Sequence, residues 1–281
     1  MNIQWYPGHM TKAKRMMQEN IKLIDVVIEL VDARIPLSSK NPDIDSIAGN
    51  KSRVILLNKV DLADEIITQV WKKWYEEKGF FVHTVNSKTG YGVKNVTAII
   101  KEACKEKIER DKKRGIKNRP VRAMIVGIPN VGKSTFINSF AGKACAKTGN
   151  KPGVTKGKQW IKLSKEVELL DTPGILWPKF DDKQVGINLA LIGSINDDIL
   201  NMDELSLELI AYLKKYYSET LLKRYNVDCD KEPSAILGEI AKARGCIIKG
   251  GELDYSKAAK LLVEEFKNGH LGRISLEVPN E

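Results

Sequence analysis

Short apolar runs alternate with amphipathic stretches along the first part of the chain. Asp25–Val31 (Asp-Val-Val-Ile-Glu-Leu-Val), Arg53–Leu57, Phe80–Val85 and Val121–Val126 are almost continuously apolar, as strands buried on both faces require. Gln159–Leu163 and Val167–Leu170 lie close enough in sequence to form a hairpin. Between the runs the apolar spacing is helical. Met10, Ala13, Met17, Ile21 and Ile24 share one face of a helix running to about Leu23, with Lys12, Lys14 and Arg15 largely off that face. Asp64–Glu77 predicts a second helix with Ile67, Val70, Trp71 and Trp74 inward. Gly92–Arg114 predicts one long helix ending in the mixed-charge run Lys105–Lys113, and Thr135–Ala141 a short one. From about Asp182 only helical spacing remains, over Met202–Tyr217, Ser234–Arg244 and Tyr255–Lys267. The pattern predicts an α/β domain over residues 1–180, with a mostly parallel sheet and helices on both faces. A separate, small all-α domain is expected over residues 181–281.

Chemistry concentrates where the predicted strands end. Val121–Val126 runs into Gly127-Ile128-Pro129-Asn130-Val131-Gly132-Lys133-Ser134, two glycines four residues apart followed by Lys-Ser, and a helix follows. Strand, glycine loop and helix form the context of a phosphate-binding loop, in which backbone N–H groups and the helix N-terminus face a polyphosphate. Asn130 to Thr135 would line the phosphates, with Lys133 neutralising them and the Ser134 hydroxyl on Mg²⁺. Arg53–Leu57 runs into Asn58-Lys59-Val60-Asp61. Asp61 there would accept from both N1–H and the exocyclic amine of guanine, an arrangement adenine cannot satisfy. Asn58 and the Lys59 stem would brace that loop and cover the base. Asn86-Ser87-Lys88 fits a second base-contacting turn, whose Ser87 and Lys88 backbone groups would reach the guanine. Pro152-Gly153-Val154-Thr155 offers the Thr155 hydroxyl to the same Mg²⁺. Asp171-Thr172-Pro173-Gly174 sets Asp171 near the metal, through water, and the Gly174 N–H beside the γ-phosphate. The ligand expected is GTP or GDP.

Length and composition fit this reading. At 281 residues and 42% hydrophobic the chain has material for a full core, and no apolar run approaches the roughly 20 residues needed to span a bilayer. Met10–Ile24 imitates a basic transit sequence, but it holds Glu19 and leads straight into a core strand. Cys104, Cys145, Cys229 and Cys246 lack ligand spacing and read as reduced thiols of a cytoplasmic protein. The net charge of +10 favours a polyanionic partner, nucleic acid first. A monomer is the default expectation.

The order of the motifs is unusual for a GTPase. The base-reading loops at 58–61 and 86–88 precede the phosphate loop, the threonine loop and Asp-x-x-Gly. A circularly permuted chain assembles the same sheet, and it lets the segment after Gly174 feed directly into the C-terminal helices. The whole chain resembles the circularly permuted ribosome-assembly GTPases of the YlqF/RbgA type. The resemblance rests on Trp5-Tyr6-Pro7-Gly8-His9-Met10, Asp32-Ala33-Arg34-x-Pro36, the 127–134 loop, Pro152–Thr155, Asp171–Gly174, Lys249-Gly250-Gly251 and Leu271-Gly272-Arg273-Ile274. It implies a P-loop GTPase fold and a role in late assembly of the large (50S) ribosomal subunit in the cytoplasm, with rRNA and ribosomal proteins as partners.

Catalysis is less legible. Many GTPases carry a glutamine just after Asp-x-x-Gly to orient water, and here that residue is Ile175. The resemblance suggests a catalytic role for His9; the alternative is a histidine packed under Trp5 or touching RNA. His83, in a strand, and His270, in the tail, read as structural or surface residues. Asn130 resembles the asparagine that helps hold K⁺ in K⁺-stimulated GTPases; otherwise it is a loop residue suited to unusual backbone angles. An RNA-binding scaffold with little turnover is the second reading. An RNA-modifying enzyme lacks a second catalytic constellation, and Asp61 disfavours an ATP kinase.

Overall fold

A computed structural model of the protein describes residues 8–116, 119–145, 159–177, 180 and 182–279, without the side chains of His9 and Gln159. Six strands form one sheet: β1 (Val26–Asp32), β2 (Ser52–Asn58), β3 (Phe81–Thr84), β4 (Val121–Val126), β5 (Gln159–Lys162) and β6 (Val167–Asp171). Their order is β3-β2-β1-β4-β6-β5. Every pairing is parallel except β5 with β6, the expected hairpin. β1 is buried along its whole length, which explains its nearly unbroken apolar run. Glu29, its one charged interior residue, is paired with Arg53 on β2.

Helices cover the sheet. α1 (Gly8–Asn20) buries Met10, Ala13 and Met17, the face expected from their spacing. α3 (Glu65–Glu77) starts at Asp64, whose carboxylate accepts from Ile67 N–H, and buries Thr68, Trp71 and Tyr75. Val70, expected inward, is exposed, and Tyr75 takes the inner position, with its hydroxyl donating to Pro36 O at 3.1 Å. The single helix expected over Gly92–Arg114 breaks at Cys104 into α4 (Val96–Ala103) and α5 (Lys105–Lys113), because the buried Cys104 leaves helical geometry. A short α2 (Asp43–Ala48) lies between β1 and β2, and α6 (Lys133–Ala141) follows the phosphate loop.

Residues beyond the sheet are helical, as expected: α7 (Lys183–Leu191), α8 (Met202–Tyr216), α9 (Ser218–Tyr225), α10 (Pro233–Ala243) and α11 (Tyr255–Lys267). α7 and α9 were not legible in the apolar spacing. The helices share their core with the sheet: one buried cluster runs from Val26 and Met124 through Leu189 to Leu209 and Leu262. The last residues then return to the sheet domain, where Ile274 N–H donates to Leu62 O and Leu276 N–H to Arg34 O. Among the described residues no helix is long and apolar enough to cross a membrane.

Candidate nucleotide site

β1 pairs with β2 on one side and β4 on the other, so the crevice at their C-terminal ends lies where the chain's winding reverses. Ligands of open α/β sheets bind at such a point. Three predicted loops leave the sheet there, and one side chain joins them. Asn58, at the end of β2 and 1% exposed, donates through Nδ2 to Val131 O at 2.8 Å. Its Oδ1 accepts from Ser87 N–H at 3.0 Å and from Ser87 Oγ at 2.8 Å. One amide therefore uses both its donor and its acceptor to tie the base-reading turn, the 86–88 turn and the phosphate loop.

Lys59 adds a second tie. It sits at φ 61° and its ammonium donates to Asn130 O at 2.9 Å. The same ammonium lies 3.0 Å from Asp32 Oδ2 at the end of β1. Asp32 in turn accepts two bonds from the Arg34 guanidinium, Nε to Oδ1 and Nη2 to Oδ2, each 2.9 Å. Burial pushes the Asp32 carboxyl up, but the two cations and their hydrogen bonds outweigh burial and hold it well below the usual carboxylate range. In the sequence Asp32-Ala33-Arg34 stood out only as one motif of the family resemblance, with no role assigned to it. The signal available was an acid and an arginine beside the strand that ends in Asn-Lys.

The phosphate loop is shaped by close approach. A Cβ on Gly127 would stand 2.8 Å from Leu30 O, and one on Gly132, at φ +98°, 2.5 Å from Asn58 Nδ2. Asn130 lies at φ 59°, the unusual backbone angle allowed for it, and its Nδ2 donates to Gly193 O at 2.6 Å. Ser194 Oγ donates to Pro129 O at 2.8 Å, so the loop after α7 holds the phosphate loop from outside. Lys133, Ser134 and Thr135 occupy the first turn of α6. The Lys133 ammonium is buried, donates to Thr172 O and lies 3.9 Å from Asp171 Oδ1. Burial draws it down to about 8, opposed by Asp171. Burial likewise pushes the Asp171 carboxyl up. Neither Asp171 oxygen has a hydrogen-bond partner among the described residues, a donor set that fits a cation. Gly174 rides on the phosphate loop, and a Cβ there would meet Pro129 N at 3.0 Å and Pro129 Cα at 3.1 Å.

Asp61 lines a cavity of about 380 Å³ together with Thr84, Asn86, Thr89, Tyr91 and Arg273. Asn86 Oδ1 accepts from Lys88 N–H at 2.9 Å and Thr89 N–H at 3.1 Å. The Ser87 and Lys88 N–H groups are thus engaged by Asn58 and Asn86, which shape the turn expected to contact the base. Ile175, 1% exposed, is built into the core, and its N–H donates to Gly127 O at 3.3 Å. His83 Nε2 is bonded to Gly92 O at 3.0 Å, a structural position. His9 lies in the first turn of α1, and its side chain and Thr155 fall outside the described residues.

Comparison with known proteins agrees with this geometry. Residues 122–228 match the family model described as 50S ribosome-binding GTPase. Over its full length the chain is 49% identical to Ribosome biogenesis GTPase A of Bacillus cereus, covering 95% of that protein. It is 30% identical to the crystal structure of GNP-bound YlqF from T. maritima, with a TM-score of 0.66 over 96% of this chain and 99% of that one. For GDP-bound YlqF the identity is 29% and the TM-score 0.68, over 95% of this chain and all of that one.

Proposed function

The chain belongs to the ribosome biogenesis GTPase A family, and on that premise we propose a molecular switch that binds the large ribosomal subunit and promotes its late assembly. It binds guanine nucleotides and hydrolyses GTP to GDP and phosphate. The observation that supports this most is Asn58, which gathers the base-reading and phosphate loops into one site.

Each side chain has a part in that chemistry. Asp61 reads the guanine edge, and Lys59 and Asn58 keep its loop against the phosphates. Lys133 neutralises the terminal phosphates, and Gly174 N–H bonds the γ-phosphate. Ser134 and Thr155, with Asp171 through water, would hold Mg²⁺, which would supply positive charge against the phosphates. Asn130, in the phosphate loop, would help hold K⁺. Water attacks the γ-phosphate in line, and His9 positions it in place of the missing glutamine. Loss of phosphate frees Gly174 from its contact. The chain between Gly174 and α7 carries that change to the helices, and residues 181–281 release rRNA. The work is cytoplasmic and done by a monomer.

The buried Ile175 favours one further reading, a nucleotide-regulated RNA scaffold with little turnover of its own. Co-sedimentation with large subunits, in GDP, GTP and a non-hydrolysable analogue, tests the switch. Tight association in the analogue and release in GDP is expected. Binding indifferent to the nucleotide would refute it.

A further inference from the structure

The turn that presents Asp61 is gripped from outside by residues 269–277. Ile274 N–H donates to Leu62 O at 2.9 Å, one residue past Asp61. Asp64 N–H donates to Ser275 Oγ at 3.1 Å. Leu62 packs on Gly269 so closely that a Cβ there, already strained at φ +78°, would stand 2.4 Å from Leu62 Cδ2. Arg273 pairs with Glu65 at 3.1 Å and lines the same cavity as Asp61. The grip is itself anchored. The Tyr212 hydroxyl, on α8, donates to Ser275 O at 2.9 Å, and Ser275 N–H donates to the Tyr217 hydroxyl at 3.2 Å. Glu277 accepts from Leu37 N–H at 2.9 Å, Ser38 N–H at 3.0 Å and Asn188 Nδ2 at 3.1 Å. Trp71 Nε1 donates to Glu277 O at 3.0 Å.

We propose that residues 269–277 form a positioning strap that sets guanine selectivity, a proposal that rests on Asp61 reading the base. Two simultaneous bonds to guanine require the carboxylate within about half an ångström of its place. The turn that carries it begins at Lys59, in a backbone region a lysine adopts only at a cost, and closes with Leu62 N–H on Lys59 O at 2.9 Å. The strap supplies the bonds and packing that hold this conformation. No strap residue touches the phosphate loop in the contacts above, so its influence falls on the base rather than on the phosphates. Because the strap hangs from the Tyr212 and Tyr217 hydroxyls, a partner that shifts α8 alters guanine affinity. By reciprocity, guanine nucleotide alters the affinity for that partner.

Comparing GDP with IDP isolates the effect, since IDP lacks the 2-amino group that donates to Asp61. Dissociation constants for both would be measured on the full-length wild type, Ser275→Ala, Gly269→Val and Asp61→Ala, well below each melting temperature. Ile240→Val, a core truncation in α10, controls for lost stability. The strap variants are expected to weaken GDP more than IDP, which keeps only the N1–H donor to Asp61, and so to lower the GDP-over-IDP preference by about three- to tenfold, while Ile240→Val keeps the wild-type ratio. If Gly269→Val does not fold, Ser275→Ala carries the test alone. An unchanged ratio, or equal losses for GDP and IDP, overturns the strap. A wild type without GDP preference, or Asp61→Ala retaining it, removes the Asp61 reading and the strap with it.

Discussion

Replacing Asn58 with alanine should do more damage than any other single change at the site. The side chain is almost wholly buried and makes three hydrogen bonds, to Val131 O, Ser87 N–H and Ser87 Oγ. Each contributes about 1 kcal/mol net, and a backbone group left buried without a partner costs about 1–3 kcal/mol. Water entering the gap offsets part of this, and bonds sharing one side chain do not simply add. The expected loss is about 3–5 kcal/mol, a large part of the roughly 5–15 kcal/mol by which such proteins are stable. Ser87→Ala removes only the hydroxyl contact and should cost about 1 kcal/mol. Urea unfolding without nucleotide measures both, with an unchanged m-value showing that the folded state stays compact. Fluorescence titration should then give at least a tenfold weaker GDP Kd for Asn58→Ala, about 1.4 kcal/mol or more. A loss for Asn58→Ala no greater than for Ser87→Ala would refute the idea that this amide is the hub of the three loops.

Further outcomes follow from the charged and close-packed positions. The Asp32 carboxyl is held below its unfolded value of about 3.9, so its contribution is complete above that pH and is lost as pH falls towards the folded value. Asp32→Asn should flatten the acid limb of a stability–pH curve, and a limb as steep as wild type would contradict the Arg34–Asp32–Lys59 arrangement. Gly174→Ala forces a methyl against Pro129 N and Cα, backbone atoms that cannot turn aside. It should impair GTP turnover more than GDP affinity, checked by steady-state kinetics beside equilibrium binding. Asp171→Asn removes a buried carboxylate and with it the counter-charge 3.9 Å from the buried Lys133 ammonium. The melting temperature of the nucleotide-free protein should fall, and Mg²⁺ should no longer strengthen GTP binding. Mg²⁺ that still strengthens GTP binding to Asp171→Asn would take Asp171 out of the metal site.

Much of this was legible in the sequence where local chemistry decides. Val121–Val126 reads as a strand because both its faces are buried, and the loops after β2 and β4 read from residue types with few other uses. Legibility failed where tertiary contacts decide. α7 buries Asn188, whose amide bonds Ser38 Oγ and Glu277, so apolar spacing could not mark its inner face. Val70 and Tyr75 both fit a helical stripe, and only the hydroxyl contact with Pro36 selects Tyr75. Arg34 and Glu277 are ordinary surface types by composition. Arg34 is buried because Asp32 pairs with it, and Glu277 is half-buried over the N–H groups of Leu37 and Ser38, partners visible only in the fold.

The most direct test of the switch is GTP turnover with and without purified large ribosomal subunits, in KCl and in NaCl, for wild type and His9→Ala. Strong stimulation by subunits, greater in KCl and abolished in His9→Ala with GTP binding intact, is expected of a ribosome-activated GTPase. Subunits that bind while hydrolysis stays flat would contradict it and favour the scaffold that the buried Ile175 suggests.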